Sequence, residues 1–344
     1  MNQRALPTEL PTELPPEIAP AATTAPLPHW ELHQIVDELR AVRERWRENL
    51  PRHQECGSRQ FPSRQHLREL VASLCAALFP MRLGPLDLQQ ESEDFFVGHT
   101  LDTTLTGLHE QVRRELSYQA RQHGLPQTVP AEQQALAIVQ RFARALPGIR
   151  ALLDTDVAAA FHGDPAAHSV DEVLLCYPGV LAITHYRIAH ALHVLGAPLV
   201  ARIIAEVAHS QTGIDIHPGA VIGASFFIDH GTGVVIGETA VIGERVRIYQ
   251  AVTLGAKRFP AGEDGVLKKG LARHPIVRDD VVIYAGATIL GRVTIGQGSV
   301  IGGNVWLTRN VAPGSHITQA HNQHEAGDLP SPAPPVHSVF AHQP

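Results

Sequence analysis

Along the second half of the chain an aliphatic side chain returns every six positions. Val277, Ile283, Ile289, Ile295, Ile301 and Leu307 follow one another without a slip. Ile216, Ile222 and Ile228 precede them, and after one jump of eight the series resumes as Ile236, Ile242, Ile248 and Leu254. A glycine often follows the lead, as in Ile222-Gly223, Ile236-Gly237, Ile242-Gly243 and Ile301-Gly302. Four residues after a lead a small or β-branched side chain recurs: Ala220, Thr232, Ala240, Val252, Val281, Ala287, Val293, Ser299 and Val305. Six matches neither the 3.6 of a helix nor the two-sided alternation of a strand. It predicts a parallel β-helix in which three short strands close each coil and the aliphatic leads stack inside a prism.

Upstream the period is helical. Leu32, Ile35, Val36, Leu39, Val42 and Trp46 share one face before Pro51. Ser63 is placed to cap a helix carrying Leu67, Leu70, Val71, Leu74 and Leu78, which Pro80 ends. Leu101, Leu105, Leu108, Val112 and Leu116 mark a third helix. Leu136, Val139, Phe142 and Leu146 mark a fourth, closed by Pro147-Gly148 and followed by a separate helical stretch near 151–161. Ser169-Val-Asp-Glu172 reads as a capping box. Two more helices, about 179–195 and 198–209, divide at Gly196-Ala-Pro198, and Gly213 marks the change of period. The expected organisation is a disordered Pro-rich tail (1–28), a helical domain (29–210), the β-helix (211–317) and a flexible tail (318–344). The fold class is α+β, an all-α half followed by the prism.

Composition narrows the function. The 344 residues carry a net charge of −6 and no concentrated Lys/Arg patch, which weighs against nucleic acid as a partner. The longest apolar text, 179–208, is interrupted by Arg187, His190, His193, Pro198 and Arg202, so no membrane span is expected. Without a secretory n-region and apolar core, the expected location is cytoplasmic. Cys56, Cys75 and Cys176 are too dispersed for a zinc cluster and read as reduced thiols.

A regular prism accounts for its aliphatic and small residues, so the chemistry lies in the exceptions. Three segments break the pattern: Ile214-Asp215-Ile216-His217-Pro218, Ile228-Asp229-His230-Gly231-Thr232-Gly233 at the eight-residue jump, and the long interruption between Leu254 and Ile276. Asp215 and His230 lie fifteen apart, close to one coil, which suggests a carboxylate orienting an imidazole that then takes a proton from a hydroxyl. His217 reads as a turn residue. Three imidazoles, His217, His230 and His274, could in principle hold zinc as in carbonic-anhydrase prisms. The neighbouring Asp and Arg residues suit an amino-acid substrate better, and no metal is expected. Lys257, Arg258, Lys268 and Lys269 could meet phosphates, but a charged loop is more often merely solvated.

The run Ile-Asp-His-Gly-Thr-Gly-Val-Val-Ile-Gly-Glu-Thr-Ala-Val-Ile-Gly (228–243) resembles the signature of serine O-acetyltransferases. So do Gln250-Ala-Val-Thr-Leu-Gly255, Arg273-His-Pro275, Asp164-Pro165-Ala166 and the helix His185-Tyr186-Arg187-Ile188-Ala189-His190. The resemblance, covering about 150–312, implies a left-handed coil, assembly as a homotrimer or dimer of trimers with sites between prisms, and acetyl-CoA and L-serine as substrates. It implies His230 as general base and Asp215 as its orienting partner. Asp164, Asp229, Arg273 and His274 would hold serine, and Gly255 and Ala285 would line the CoA groove. None of the three cysteines falls in the signature, so direct attack is expected in place of an acyl-enzyme. A related acetyltransferase acting on a sugar or homoserine hydroxyl is the alternative; Asp164 and Arg273 separate the two, since a neutral sugar needs neither. Two departures stand out. Tyr284 occupies a position where the family commonly has glycine. The C-terminus ends in Pro344 where relatives that bind O-acetylserine sulfhydrylase present isoleucine, so no tight complex with that enzyme is expected.

Overall fold

The structure is a computed structural model that describes residues 30–49, 61–123, 129–258, 262, 267–268 and 270–319. Both expected tails, Cys56, Lys269 and most of the segment 259–266 lie outside the described residues, apart from Thr318 and Gln319. Two compact units divide between Gly57 and Ser58. In the first, α1 (Leu32–Asn49) exposes the whole of its apolar stripe.

The second unit opens with α2 (Arg64–Leu78), whose N-cap Ser63 accepts a hydrogen bond from the His66 N–H as expected. Pro80 ends α2 and starts a single turn, α3 (Pro80–Leu83). After a 3₁₀ turn (Gln90–Ser92) come α4 (Glu93–His123) and α5 (Ala131–Gly163). Here the structure departs from the sequence pattern, for α5 runs straight through Pro147-Gly148. An interior proline costs about 3 kcal/mol through its missing donor and ring clash. The stripe Phe142, Leu146, Ile149, Leu153, Val157 and Ala160 stays buried across it, and each large member recovers about 1.5–3 kcal/mol. Burial therefore outweighs the break. In α6 (Val170–Cys176) the Ser169 hydroxyl accepts from the Glu172 N–H at 3.0 Å, while Glu172 reaches back to the N–H of His168, one residue beyond the usual box. Next come α7 (Pro178–Val194) and α8 (Pro198–Thr212), and Gly213 closes α8 at φ 68°.

Among the described residues, fourteen strands of two or three residues then wind into three parallel faces. Face A stacks β1 (Asp215–Ile216), β4 (Val235–Ile236), β7 (Thr253–Gly255), β10 (Thr288–Leu290) and β13 (Trp306–Leu307). Face B holds β2 (Val221–Ile222), β5 (Val241–Ile242), β8 (Ile276–Val277) and β11 (Thr294–Ile295). Face C holds β3 (Phe227–Ile228), β6 (Arg247–Ile248), β9 (Val282–Ile283), β12 (Val300–Ile301) and β14 (His316–Ile317). The register sets leads on leads, Ile216 opposite Ile236 and Ile283 opposite Ile301, and every lead from Ile216 to Leu307 is buried. The six-residue period and its inward face are thus as the pattern predicts.

Helices and prism share one buried apolar cluster, from Leu67 to Val311. The resemblance segment 185–190 on α7 joins them. The Tyr186 hydroxyl donates to the Ala220 carbonyl at 2.6 Å, and His190 Nδ1 lies 2.8 Å from the Pro218 carbonyl. Arg187 forks onto Asp156 at 2.6 and 2.9 Å and also reaches the carbonyls of Ile222 and Gly223. Both members of that ion pair are almost fully buried. These residues do structural work at the junction.

Candidate active site

The corner between β3 and β4 is the one widened by the eight-residue jump. It turns through positive φ at His230 (58°), Gly231 (87°) and Gly233 (80°). Gly231 is required there, because a Cβ would collide with Ile214 Cδ1. The backbone of Gly233 hydrogen-bonds Gly213 one coil below, so the widened turn lies over the start of the prism near Asp215. His230 projects with its side chain three-quarters exposed, and its Nε2 lies 3.9 Å from Asp229 Oδ1. Asp229 is buried beside it.

Asp164, at the C-terminal end of α5, joins this corner from the helical side. Its Oδ2 accepts a 2.5 Å hydrogen bond from the Tyr177 hydroxyl, and its Oδ1 accepts the Ala166 N–H. The Tyr177 bond holds the Asp164 carboxyl below its ordinary range, with the Ala166 N–H and the charges of Arg247 and His230 assisting. The same bond pushes the Tyr177 phenol up to about 12. Asp164, Asp229 and His230 therefore converge.

A residue that pattern reading missed ties the cluster together. Arg247 Nη2 binds Asp229 Oδ2 at 2.6 Å while Nη1 binds the Gly163 carbonyl at 2.6 Å. Its guanidinium lies 5.0 Å from the Phe227 ring centroid and 4.7 Å from that of Tyr249. Tyr249 in turn stacks on Tyr284 at 5.0 Å. One signal was legible: a charged residue immediately before the lead Ile248, where neighbouring repeats carry Phe227 or Val282. Among the described residues the buried side-chain atoms without a hydrogen-bond partner are Arg247 Nε and Gln250 Oε1, both in or beside this corner.

Arg273 and His274 lie elsewhere, at the corner between faces A and B. Arg273 Nη2 pairs with Glu238 Oε2 at 2.7 Å. The His274 ring packs so closely on Gly237 that a Cβ there would overlap it. Its Nδ1 accepts the Thr239 N–H at 3.0 Å, which requires that nitrogen unprotonated. Burial, aided by the Arg273 charge, lowers its pKa to about 4. His217 is at the same corner, its Nδ1 accepting the Gly219 N–H in the turn expected of it. His217 and His274 thus occupy a different corner from His230, and the three imidazoles do not converge in one protomer.

Asp215 sits in β1 on the outward side of face A, with Arg202 Nη1 3.8 Å from its Oδ1. Its carboxylate makes no ion pair with His230; the ion-pair neighbour of Asp215 is Arg202 and that of His230 is Asp229. Asp215 groups with Glu206 and His209 as potential metal ligands, but Arg202 also pairs with Glu206 at 2.5 Å, so a cationic side chain already serves those carboxylates. Gly255 ends β7 opposite Leu290, and its carbonyl accepts the Gly291 N–H. Ala285 stands at the opposite edge of face A beside Tyr284, half-buried, its carbonyl accepting the Asn304 N–H. Cys75 is buried, its thiol raised to about 12 by that burial, and Cys176 is exposed; both are free. Among the described residues no helix is long and apolar enough to cross a membrane.

Comparison with known proteins accords with this architecture. Residues 274–309 match the family described as bacterial transferase hexapeptide (six repeats). A plasmid serine acetyltransferase of Synechococcus elongatus is 58% identical over 301 residues, 87% of this chain and 88% of its own. The Mycobacterium tuberculosis serine acetyltransferase is 47% identical over 180 residues, 52% of this chain and 75% of its own. Among solved structures, serine acetyltransferase isoform 3 of Entamoeba histolytica, in complex with cysteine, superposes with a TM-score of 0.62 at 35% identity, covering 76% of this chain and 84% of that one. Serine acetyltransferase 1 of the same organism, in complex with L-cysteine, gives 0.63 at 40% identity, covering 73% and 86%. The coil is accordingly the left-handed parallel β-helix, and the chain is an acyl-transferring enzyme belonging to the serine acetyltransferase family.

Proposed function

We propose that the enzyme transfers the acetyl group of acetyl-CoA directly to the hydroxyl of L-serine, in sites shared between neighbouring prisms of a homotrimer. Asp164 and Asp229 bind the substrate ammonium, and Arg273 with His274, from the next subunit, binds its carboxylate. His230 is the base. Its Nε2 faces Asp229, which leaves Nδ1 for Asp215 once that carboxylate turns from Arg202. As serine oxygen attacks the thioester carbonyl, His230 takes its proton. The C–S bond breaks as the tetrahedral intermediate collapses, and the departing sulfur receives that proton as CoA thiol. Gly255 and Ala285 flank the face along which CoA lies, where small residues permit close approach.

One observation carries the reading. The Asp164/Asp229/His230 cluster and the Arg273/His274 pair lie at different corners on either side of face A, which supports reading each chain as contributing two half-sites. Exposed Val235, Tyr284 and Trp306 on and beside that face suit burial against a neighbour. The test co-expresses His230→Ala with Arg273→Ala and follows thiol release with L-serine, homoserine and a sugar acceptor. Random mixing of subunits in a closed ring leaves about a quarter of the sites intact, so about a quarter of wild-type serine turnover should return. No recovery would refute the shared site, and an equal rate with the sugar would refute serine as the acceptor.

A further inference from the structure

Helix α1 carries none of the residues assigned to the chemistry and leaves its apolar stripe exposed, although its pattern is far from random. Its apolar residues are spaced three, four, three, four: Leu32, Ile35, Leu39, Val42 and Trp46. That is the seam of a coiled coil, with Leu32, Leu39 and Trp46 at a and Ile35 and Val42 at d. Val36 at e widens the seam on one side. All six are between 44% and 62% exposed. The rest of the surface is polar, with Asp37 paired to Arg40 at 3.2 Å and Gln34 to Glu38 at 2.9 Å.

We propose that the α1 helices of the three chains of one trimer pair with each other as a short parallel three-stranded coiled coil. Three features select this occupant over an unrelated partner. The seam is self-complementary, since every a and d residue is apolar and no buried polar residue specifies a different chain. Leucine at a with β-branched residues at d favours three or four strands over two. In parallel register Glu38 at g faces Arg43 at the following e of the next helix, an attractive pair repeated at each interface of a threefold bundle. Eighteen residues are marginal as a lone helix, so the bundle depends on the tether to a trimeric body, which supplies a high effective concentration. The proposal therefore rests on the trimer argued above.

The test is amide hydrogen exchange across α1 in the full-length enzyme, with mass by light scattering and serine turnover measured on the same samples. The wild type should be trimeric, with α1 amides exchanging at least ~100-fold more slowly than in the Leu39→Glu/Val42→Glu variant. That variant should stay trimeric and active, since no residue the chemistry uses lies on α1. Arg43→Glu should lose about tenfold of the protection by setting two carboxylates against each other at every interface, and the double exchange Glu38→Arg/Arg43→Glu should recover it. Equal, fast exchange in the wild type and the seam variant, with a trimer in both, overturns the coiled coil and leaves the shared active site standing. A wild-type mass of six chains that falls to three in the seam variant also overturns it, because α1 would then join trimers to one another. A monomeric wild type removes the shared site and the coil together.

Discussion

Replacing Arg247 by methionine isolates what its guanidinium does for Asp229. Methionine retains comparable length and fills the slot between Phe227 and Tyr249. It removes the 2.6 Å bonds to Asp229 and to the Gly163 carbonyl. The Asp229 side chain is only a tenth exposed, so water replaces the lost donor poorly. A charge-assisted bond of this kind contributes ~1.5–3 kcal/mol, which sets an upper bound of ~10- to 100-fold on the loss of affinity for a ligand that needs Asp229 in place. Asp229 retains its backbone position and Asp164 keeps its bonds to Tyr177 and Ala166, so the lower end applies: KM for serine should rise about tenfold. KM for acetyl-CoA should change by less than about twofold, because the groove proposed for it lies along face A. Arg247→Lys, which keeps the charge but not the two-pronged reach, should fall between the two. The assay is initial-rate kinetics with each substrate varied, alongside thermal denaturation. An unchanged serine KM would refute the argument, as would equal losses toward both substrates accompanied by a collapse of Tm, which would make Arg247 a purely structural brace.

His230→Ala should lower kcat by ~10²–10⁴, the usual contribution of a positioned base, with KM for acetyl-CoA little altered; near-normal turnover would remove His230 from the mechanism. Tyr177→Phe withdraws the donor that holds the Asp164 carboxyl low, so the acid limb of serine binding should move to higher pH, read from 1/KM against pH, and an unmoved limb would count against Asp164 as a serine ligand. His274 titrates near 4 in the folded state, below an unfolded imidazole, so it destabilises the fold increasingly as pH falls from about 6.5 toward 4. His274→Gln should flatten that part of the Tm-against-pH curve, and parallel curves would contradict it. Asp156→Asn leaves the buried Arg187 without its counter-charge, a loss of ~3–5 kcal/mol, and a Tm unchanged by calorimetry would show the pair to be dispensable.

The prism was legible because its constraint is local and repeated. Each lead must point inward and each corner admits few residue types, so a six-residue period maps directly onto thirteen buried positions from Ile216 to Leu307. The break expected at Pro147 was a local rule overridden by a stripe of apolar contacts from Phe142 to Ala160 that only packing reveals. In the site, Asp164, Asp229 and His230 do come together, but their bonding does not follow from spacing. Fifteen residues put Asp215 and His230 over the same edge, yet the first coil takes twenty residues, with Asp215 opposite Val235, and Asp215 faces Arg202. Arg247 was hidden for a different reason. Its partners, Gly163 and Asp229, come from the end of a helix and from the coil beneath, so its role exists only after α5 has docked.

That docking has a consequence for how the protein is assembled. Tyr186, Arg187 and His190 all engage carbonyls between Pro218 and Gly223, while Asp156 and Thr155 accept the N–H groups of Phe226 and Ser225. Every one of these bonds falls on the first turn of the prism, and helices α5 and α7 are synthesised before it. A growing coil gains little until one turn exists for the next to stack upon. The helices are placed to act as a mould for that turn, so folding is expected to run from the helical seed along the coils, like a zipper with its slider fixed at Gly213, a direction that truncations from either side would test. Shortening the far end should then leave a stub that remains folded, whereas damage at the mould should prevent even the first rung from setting.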